Sequence, residues 1–403
     1  MGCVACQPIL DTKKNVFSYE LLYRASLDSA KYDAVDGSVA TRELLSTAFG
    51  DIGIKKITGG KRAFVNFPSP LLIEDIPMLY SKNILVVEVL ESVESTEENI
   101  EALRRLKKQG YILALDDFTF PNGYEELVRI ADIIKVDFVQ YRDREEMQRL
   151  VSRVRRIGDK VLLAEKVETE EEFEFARRMG FSLFQGFFFS RPKLHSGLHL
   201  SPMELSRLQL LRCLSAPELD FKRIAAIIKR DVVLSHKLLR IVNSSYYGLS
   251  FFVSSILHAL VILGTEGTRK WLSFAILQDR AGGGERELSR MALTRGLFME
   301  RLAIPLRRQK DKETFFLMGL FSVADALMKV PMEEVLSQTN LSARVVKPLL
   351  TGKGEMSDLL QLAIGYERAD WDLISNGIDQ FGFDETAISS YYLQSLAEAN
   401  DFQ

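Results

Sequence analysis

NILVVE (83–88), YILALDD (111–117), ADIIKVD (131–137) and KVLLAE (160–165) are the segments whose reading decides the fold. Each is a short run of Val, Ile, Leu and Ala that stops on one or two polar residues, and the stretches between them are long enough for a crossover helix. Three further runs behave alike: FSYE ends on Glu20, RAFVN on Asn66 and LFQ on Gln185. One charged strand end carries little information. Repeated at the same end of consecutive parallel strands, such residues converge on one mouth, where the chemistry of (β/α) barrels sits. Most of these are carboxylates, so a divalent-cation site is expected.

Working outward, CVACQPIL (3–10) and VFSYELLY (16–23) read as strands separated by a polar turn, Asp11 to Asn15, too short for a helical crossover. They must pair antiparallel. Helix ends are legible further on: Ser95 with Glu98 predicts a capping box before a helix that stops at Gly110, and Thr169 with Glu172 predicts another before a helix that stops at Gly180. The inventory is one antiparallel strand and seven more, which predicts an α/β TIM-like (β/α) barrel. An open doubly wound sheet is the alternative, but it would normally carry a Gly-rich phosphate turn after its first strand, and YELLYRAS has no glycine.

From Pro192 to Pro202 periodicity is lost and Pro, Gly and Ser accumulate, which reads as a linker between a barrel domain over 1–195 and a second domain over 203–403. The second domain shows apolar residues at three- and four-residue spacing throughout and reads as all-α. AGGGERE (281–287) reads as a loop within it, since consecutive glycines hold no preferred conformation.

A length of 403 residues fits two cores. A net charge of −3 gives no global attraction to polyanions, so no nucleic-acid polymer is expected as partner. Cys3, Cys6 and Cys213 are too few for a disulfide framework; they read as structural thiols in a reducing cytoplasm. The start shows no basic leader with an apolar core, and the longest apolar region, 251–264, is too short and too interrupted to span a bilayer, so no membrane association is expected.

Glu20, Asn66, Glu88, Asp116, Asp117 and Glu165 supply the hard oxygen donors that Mg²⁺ or Mn²⁺ prefers. Strand neighbours point to opposite faces, so Asp116 and Asp117 reach one site together only at a strand terminus. Lys135 is a fixed positive charge among them, placed to orient a nucleophile or a phosphate oxygen. Arg24, a helical turn or less beyond Glu20, is placed to grip a phosphate.

These residues carry a resemblance. QPI (7–9), YELLYR (19–24), FVN (64–66), EVLE (88–91), LALDDF (113–118), IIKVD (133–137), AEKVET (164–169) and QGFFFSRP (185–192) resemble, in order and spacing, the EAL family of cyclic di-GMP phosphodiesterases. The resemblance implies a metal-dependent hydrolase that opens cyclic di-GMP to the linear dinucleotide. It assigns the six oxygen-donor positions to the metals, Lys135 and Glu165 to catalysis, Gln7, Arg24 and Gln185 to substrate, and Glu91, Asp137 and Glu168 to support. Homodimerisation is a further expectation. The chain departs from the family at Leu21, at Ala25, at Lys166 where glycine is usual, and in TFPNG (119–123), longer by two residues.

IAAIIKRDVVLSHKLLRIVNSSYYG (224–248) and SSILHALVILG (254–264) resemble the HDOD domain, an all-α relative of metal-dependent phosphohydrolases. Catalysis in that superfamily needs histidines and a His-Asp pair. This chain has only His195, His199, His236 and His258, with no His-Asp pair, and Ser322 and Val323 stand where the pair would lie, so a non-catalytic domain that binds a protein partner is expected. Asn243, Ser244 and Ser245 are expected to end a helix. Two functions follow: an active phosphodiesterase with a regulatory helical domain, or a non-catalytic adaptor that binds cyclic di-GMP or a protein partner. A third, a sugar or small-metabolite barrel enzyme, would need a different carboxylate pair.

Overall fold

The structure is a computed structural model that describes residues 2–24, 37–46, 53–119, 123–141, 144–190, 218–230, 232–243, 253–277, 283–328, 330–337 and 341–401, together with 209, 210, 213, 214, 216 and 251. Eight strands close into a barrel in sequence order: β1 (Cys3–Asp11), β2 (Val16–Arg24), β3 (Arg62–Phe67), β4 (Leu85–Val89), β5 (Ile112–Leu115), β6 (Ile133–Asp137), β7 (Val161–Glu165) and β8 (Leu183–Gln185). β1 runs antiparallel to both neighbours, β2 and β8, and every other pairing is parallel. The closure between β8 and β1 rules out the open sheet.

One apolar layer plugs the barrel: Ile9, Phe64, Val86, Ala114, Ile133, Leu163 and Leu183 are buried together inside it. Side chains alternate along a strand, so the next inward position toward the mouth lies two residues on in the parallel strands and two residues back in the antiparallel β1. That position is occupied by Gln7, Asn66, Glu88, Asp116, Lys135, Glu165 and Gln185 in turn. A single period of two therefore builds an apolar floor and a polar ring above it.

Helices α1 (Glu97–Gln109) and α2 (Glu170–Met179) pack outside the barrel and both end at a left-handed glycine, Gly110 and Gly180. The Thr169–Glu172 capping box is present. The first cap differs from expectation: Thr96, not Ser95, accepts from the Asn99 backbone N–H. Two adjacent hydroxyls compete there, and the chain is extended at Thr96, which leaves Ser95 one residue too early.

Every described element after residue 208 is helical. The second part includes α3 (Ile256–Leu277), α4 (Gly283–Leu302), α5 (Lys312–Phe321), α6 (Glu355–Arg368), α7 (Trp371–Phe381) and α8 (Glu385–Asp401). α3 bends at Gly264, whose φ of 68° no helix accommodates. Most of the predicted glycine loop is otherwise: α4 starts at Gly283, so Gly283 to Glu287 are helical, while Ala281 and Gly282 lie outside the described residues. The segment FLMGLFSVADAL is two helices, broken at Ser322, whose hydroxyl donates to Gly319 O at 2.6 Å and accepts from Arg295 Nη1 at 2.9 Å. Asn243 ends its helix as expected, donating to Leu239 O and Val253 O, each at 2.8 Å; Ser244 and Ser245 lie outside the described residues. His236 and His258 are exposed, and His258 stacks on Phe251. His195, His199 and the expected linker from Pro192 to Pro202 also lie outside the described residues.

The two parts share a core. Buried residues of the barrel and of α4, α6, α7 and α8 form one apolar cluster. β1 and β2 are the strands against which those helices close: Cys3 Sγ lies 3.4 Å from Tyr366 Oη, Val4 N–H donates to Ser389 Oγ at 3.2 Å, and Tyr19 Oη donates to Glu287 at 3.1 Å under the Arg290 guanidinium. Asn400 in α8 donates to the carbonyls of Lys56 and Ile57. Cys3, Cys6 and Cys213 are buried free thiols, and burial pushes Cys3 and Cys6 up to about 12, which keeps them protonated and unreactive. No helix among the described residues is long and apolar enough to cross a membrane.

Candidate metal centre

The polar ring opens into a cavity of about 420 Å³ at the barrel mouth, walled by Glu20, Asn66, Asp116, Asp117, Lys135 and Glu165 among others. Lys135 is its hub. Only 1% exposed, its Nζ lies 2.7 Å from Asp116 Oδ1, 2.9 Å from Glu165 Oε1 and 3.4 Å from Glu20 Oε1, and it also pairs with Glu88. Burial alone would depress the ammonium, but the four carboxylates raise its pKa well above the ordinary lysine value and hold it charged.

Asp116 follows β5 and Asp117 follows it with φ of 41°. This left-handed residue breaks the alternation, so both side chains turn to one side, as the sequence requires of a strand terminus. One carboxylate oxygen each from Asp116, Asp117 and Glu165 lies within 4.8 Å of the others. Burial and the Asp116 charge raise Asp117.

The donor set fits a hard divalent cation. Five carboxyl groups (Glu20, Glu88, Asp116, Asp117, Glu165) crowd the Lys135 ammonium in a largely buried ring, and burial raises Glu88, Asp117 and Glu165, as expected of hard oxygen donors packed together without a cation. Asn66 Oδ1, Glu88 Oε2 and Gln185 Oε1 are buried oxygens with no hydrogen-bond partner among the described residues. Buried acceptors of this kind call for a donor or a cation.

The remaining predicted residues fall in graded positions. Gln185 Nε2 donates to Gln7 Oε1 and to Glu20 Oε2, both at 2.7 Å, and so fixes the Glu20 carboxylate. Asp137 is buried and accepts from Val139 N–H at 2.7 Å and from Lys166 Nζ at 2.6 Å. Glu168 lies at the cavity rim; Glu91 lies apart, exposed in a neighbouring depression with Asp117 and Tyr124. Arg24 is not on a helix. It ends β2 opposite Cys3, four extended residues and about 13 Å beyond Glu20, and is not part of the cavity wall. Ala25 and Phe120 to Asn122 lie outside the described residues. Leu22, Gly186, Phe187, Arg368, Ala369 and Trp371 also wall the cavity and were not singled out from sequence. The last three come from the helical part.

Lys166 adopts φ of 55°, a region that suits glycine, and Asp117 feels its charge. Lys166→Gly relieves that backbone conformation and removes a cation beside the metal site, while losing the pair of its half-exposed ammonium with the buried Asp137, which keeps the Val139 N–H. Calorimetric titration with Mn²⁺ is expected to show about three- to tenfold tighter binding, the scale of one partly screened charge.

Burial raises Glu165 to about 8, with Asp116 and Glu20 adding to the push and Lys135 opposing it. Below that pH the metal-free protein holds a proton that an ordinary carboxyl of pKa 4.5 has released. Cation binding must expel it, so affinity rises with pH until Glu165 is ionised. Mn²⁺ affinity is expected to climb by up to about tenfold per unit below about pH 8 and to level above it, with proton release read from calorimetry in buffers of different ionisation enthalpy.

Residues 67–192 match the EAL domain and residues 200–371 match the HDOD domain. Cyclic di-GMP phosphodiesterase CdgJ of Vibrio cholerae is 34% identical over 94% of this chain and 88% of its own length. YuxH of Bacillus subtilis is 36% identical over 98% of this chain and 97% of its own. Among solved structures, the complex of Klebsiella pneumoniae BlrP1 with manganese and cyclic di-GMP aligns at 27% identity over 47% of this chain and 56% of that one, with a TM-score of 0.38. With full-length relatives at these identities and both domains matched in order, the chain belongs to the two-domain family in which an EAL barrel is followed by an HDOD domain.

Proposed function

We propose that the protein is a cyclic di-GMP phosphodiesterase that uses Mg²⁺ or Mn²⁺ to open the cyclic dinucleotide to its linear form. The observation that carries this reading is the convergence of Glu20, Asn66, Glu88, Asp116, Asp117 and Glu165 around Lys135, with buried oxygens left over for a cation. The curated name of the Vibrio relative points to the same substrate. When bound, divalent cations would lower the pKa of a coordinated water and neutralise charge on the phosphate.

Glu165 holds a proton at neutral pH in the metal-free protein; with divalent cations bound it would be ionised and placed to accept a proton from the attacking water. Lys135 keeps that nucleophile and the phosphate oxygens in line. Water adds its oxygen to phosphorus, one bridging P–O bond breaks, and the departing ribose oxygen takes up a proton. Gln185 holds Glu20 in place, Gln7 holds Gln185, and Asp137 ties down Lys166 at the rim. Arg24, Glu91 and Glu168 are reserved for parts of the substrate beyond this cavity or for support around it. A reducing cytoplasm, where nucleotides and free thiols coexist, suits the protein, with the barrel over 1–195 and the helical domain over 203–403, the latter non-catalytic and available to a protein partner or a second copy.

One observation favours the non-catalytic alternative. The Lys135 ammonium already contacts four carboxylates, so the site is partly neutralised before a cation arrives. Incubation with cyclic di-GMP and Mg²⁺ or Mn²⁺ separates the readings: linear product that disappears in Glu20→Ala supports the enzyme. Binding without product supports the adaptor.

A further inference from the structure

Resting on the phosphodiesterase reading, we infer that the helical domain supplies part of the substrate-binding wall: Arg368 and Trp371 grip the half of the cyclic dinucleotide remote from the bond that breaks. Both residues line the cavity that holds the metal-site carboxylates. Both come from the helical part, and the segment between them is fastened on either side.

β1 and β2 continue four residues past the Gln7–Glu20 pair to Cys3 and Arg24, so this hairpin stands above the polar ring. α6 closes against it. Tyr366 meets Cys3, and Glu367, buried, accepts a bidentate pair from Arg295 of α4, Nε to Oε1 and Nη2 to Oε2, both at 2.7 Å. Those contacts leave the next residue, Arg368, exposed at the mouth, with its guanidinium 5.1 Å from the ring centre of Phe187. Ala369 then takes φ of 51°, an unfavourable value for a residue with a Cβ, and turns the chain so that α7 begins with Trp371 against the same cavity. Asp370 caps α7 through the Leu373 N–H at 3.1 Å and holds Trp371 there.

The chemistry suits a guanine nucleotide. The floor of the cavity is acidic and takes cations and the scissile phosphate; an anionic, purine-bearing ligand needs cationic and aromatic groups elsewhere. Trp371 offers a stacking face to a base. Arg368, pre-oriented by Phe187, offers a planar fork to the O6/N7 edge of guanine or to the second phosphate. Because Arg368 follows directly on the Tyr366 and Glu367 anchors, any displacement of the helical domain moves a substrate contact.

The test compares Arg368→Ala and Trp371→Ala with the wild-type full chain, and with Lys353→Ala as an exposed cation of the same half away from this cavity. Cyclic di-GMP binding is measured by calorimetry with Ca²⁺ in place of Mg²⁺, and turnover is measured on cyclic di-GMP and on bis(p-nitrophenyl) phosphate, which has no base and only one phosphate. Each mouth variant is expected to weaken cyclic di-GMP binding about tenfold or more, with a much smaller effect on the small diester, equal Mn²⁺ affinity and no change for Lys353→Ala. Trp371→Leu keeps apolar packing and loses the stacking face, so it replaces Trp371→Ala if that variant melts early. Wild-type affinity in Arg368→Ala and in the Trp371 variant would overturn the inference while leaving the phosphodiesterase reading intact. Failure of the wild type to bind cyclic di-GMP at all would overturn both.

Discussion

Lys135→Met is expected to lower turnover by about two to three orders of magnitude and to destabilise the cation-free protein by about 3–5 kcal/mol, with most of that stability restored by saturating Mn²⁺. The ammonium is buried and contacts Glu20, Glu88, Asp116 and Glu165. Methionine keeps the volume and removes the only positive charge in contact with those four carboxylates among the described residues. Without a counter-charge they must take up protons or open the mouth, and either costs folding free energy. A divalent cation supplies the missing charge, so binding to the folded state recovers stability by mass action. Catalysis is expected not to recover, because the cation replaces the charge of Lys135 and not the orienting role proposed for its ammonium. Thermal melts with and without Mn²⁺ read both halves. A variant whose melting temperature is unchanged without metal would contradict the role assigned to the ammonium.

Gly186→Ala is the second large effect, expected to cost about 3–4 kcal/mol of stability and to weaken Mn²⁺ binding with it. Gly186 has φ of 142°, and a Cβ there would sit 2.0 Å from Val167 O and 2.6 Å from Val167 N. Those are backbone atoms in use: Val167 N–H donates to Gln185 O at 2.9 Å, and Val167 O accepts from Phe188 N–H at 3.3 Å. Neither can yield without moving the ends of β7 and β8. The residues on either side are Gln185, which fixes Glu20, and Phe187, which orients Arg368. A methyl group at 186 therefore disturbs a metal ligand and the mouth together. Denaturant unfolding with Mn²⁺ titration checks both effects, and retention of wild-type values would mean that the close approach to Val167 is not needed.

The barrel and its floor were legible because they obey a local rule. In the parallel strands each apolar inward residue predicts a polar one two positions on, as Phe64 predicts Asn66, Val86 predicts Glu88 and Leu163 predicts Glu165. The turn from Asp11 to Asn15 was too short for anything but an antiparallel pair, and β1 and β2 form it. Where tertiary contacts decided the outcome, local reading failed. Gly283 to Glu287 look like a loop by propensity, yet they begin α4, whose Glu287 is buried between Arg290 and Tyr19 of the barrel. Arg24 is expected within a helical turn of Glu20, but β2 stays extended through it, paired with Cys3, and carries it further away. Arg368 and Trp371 had no sequence signal pointing to the mouth, because they reach it through packing between residues more than 300 positions apart, such as Cys3 with Tyr366. The one local hint was an Arg-Ala-Asp-Trp step at a helix junction.

The central claim is that oxygen donors from position 20 to position 165 form one divalent-cation pocket. Anomalous diffraction from crystals grown in Mn²⁺ tests it most directly. The account predicts Mn²⁺ peaks within coordination distance of Asp116, Asp117 and Glu165, with Glu20, Asn66 and Glu88 completing the shell. Saturating Mn²⁺ with no peak at the barrel mouth, and Lys135 still bridging the four carboxylates, would contradict it.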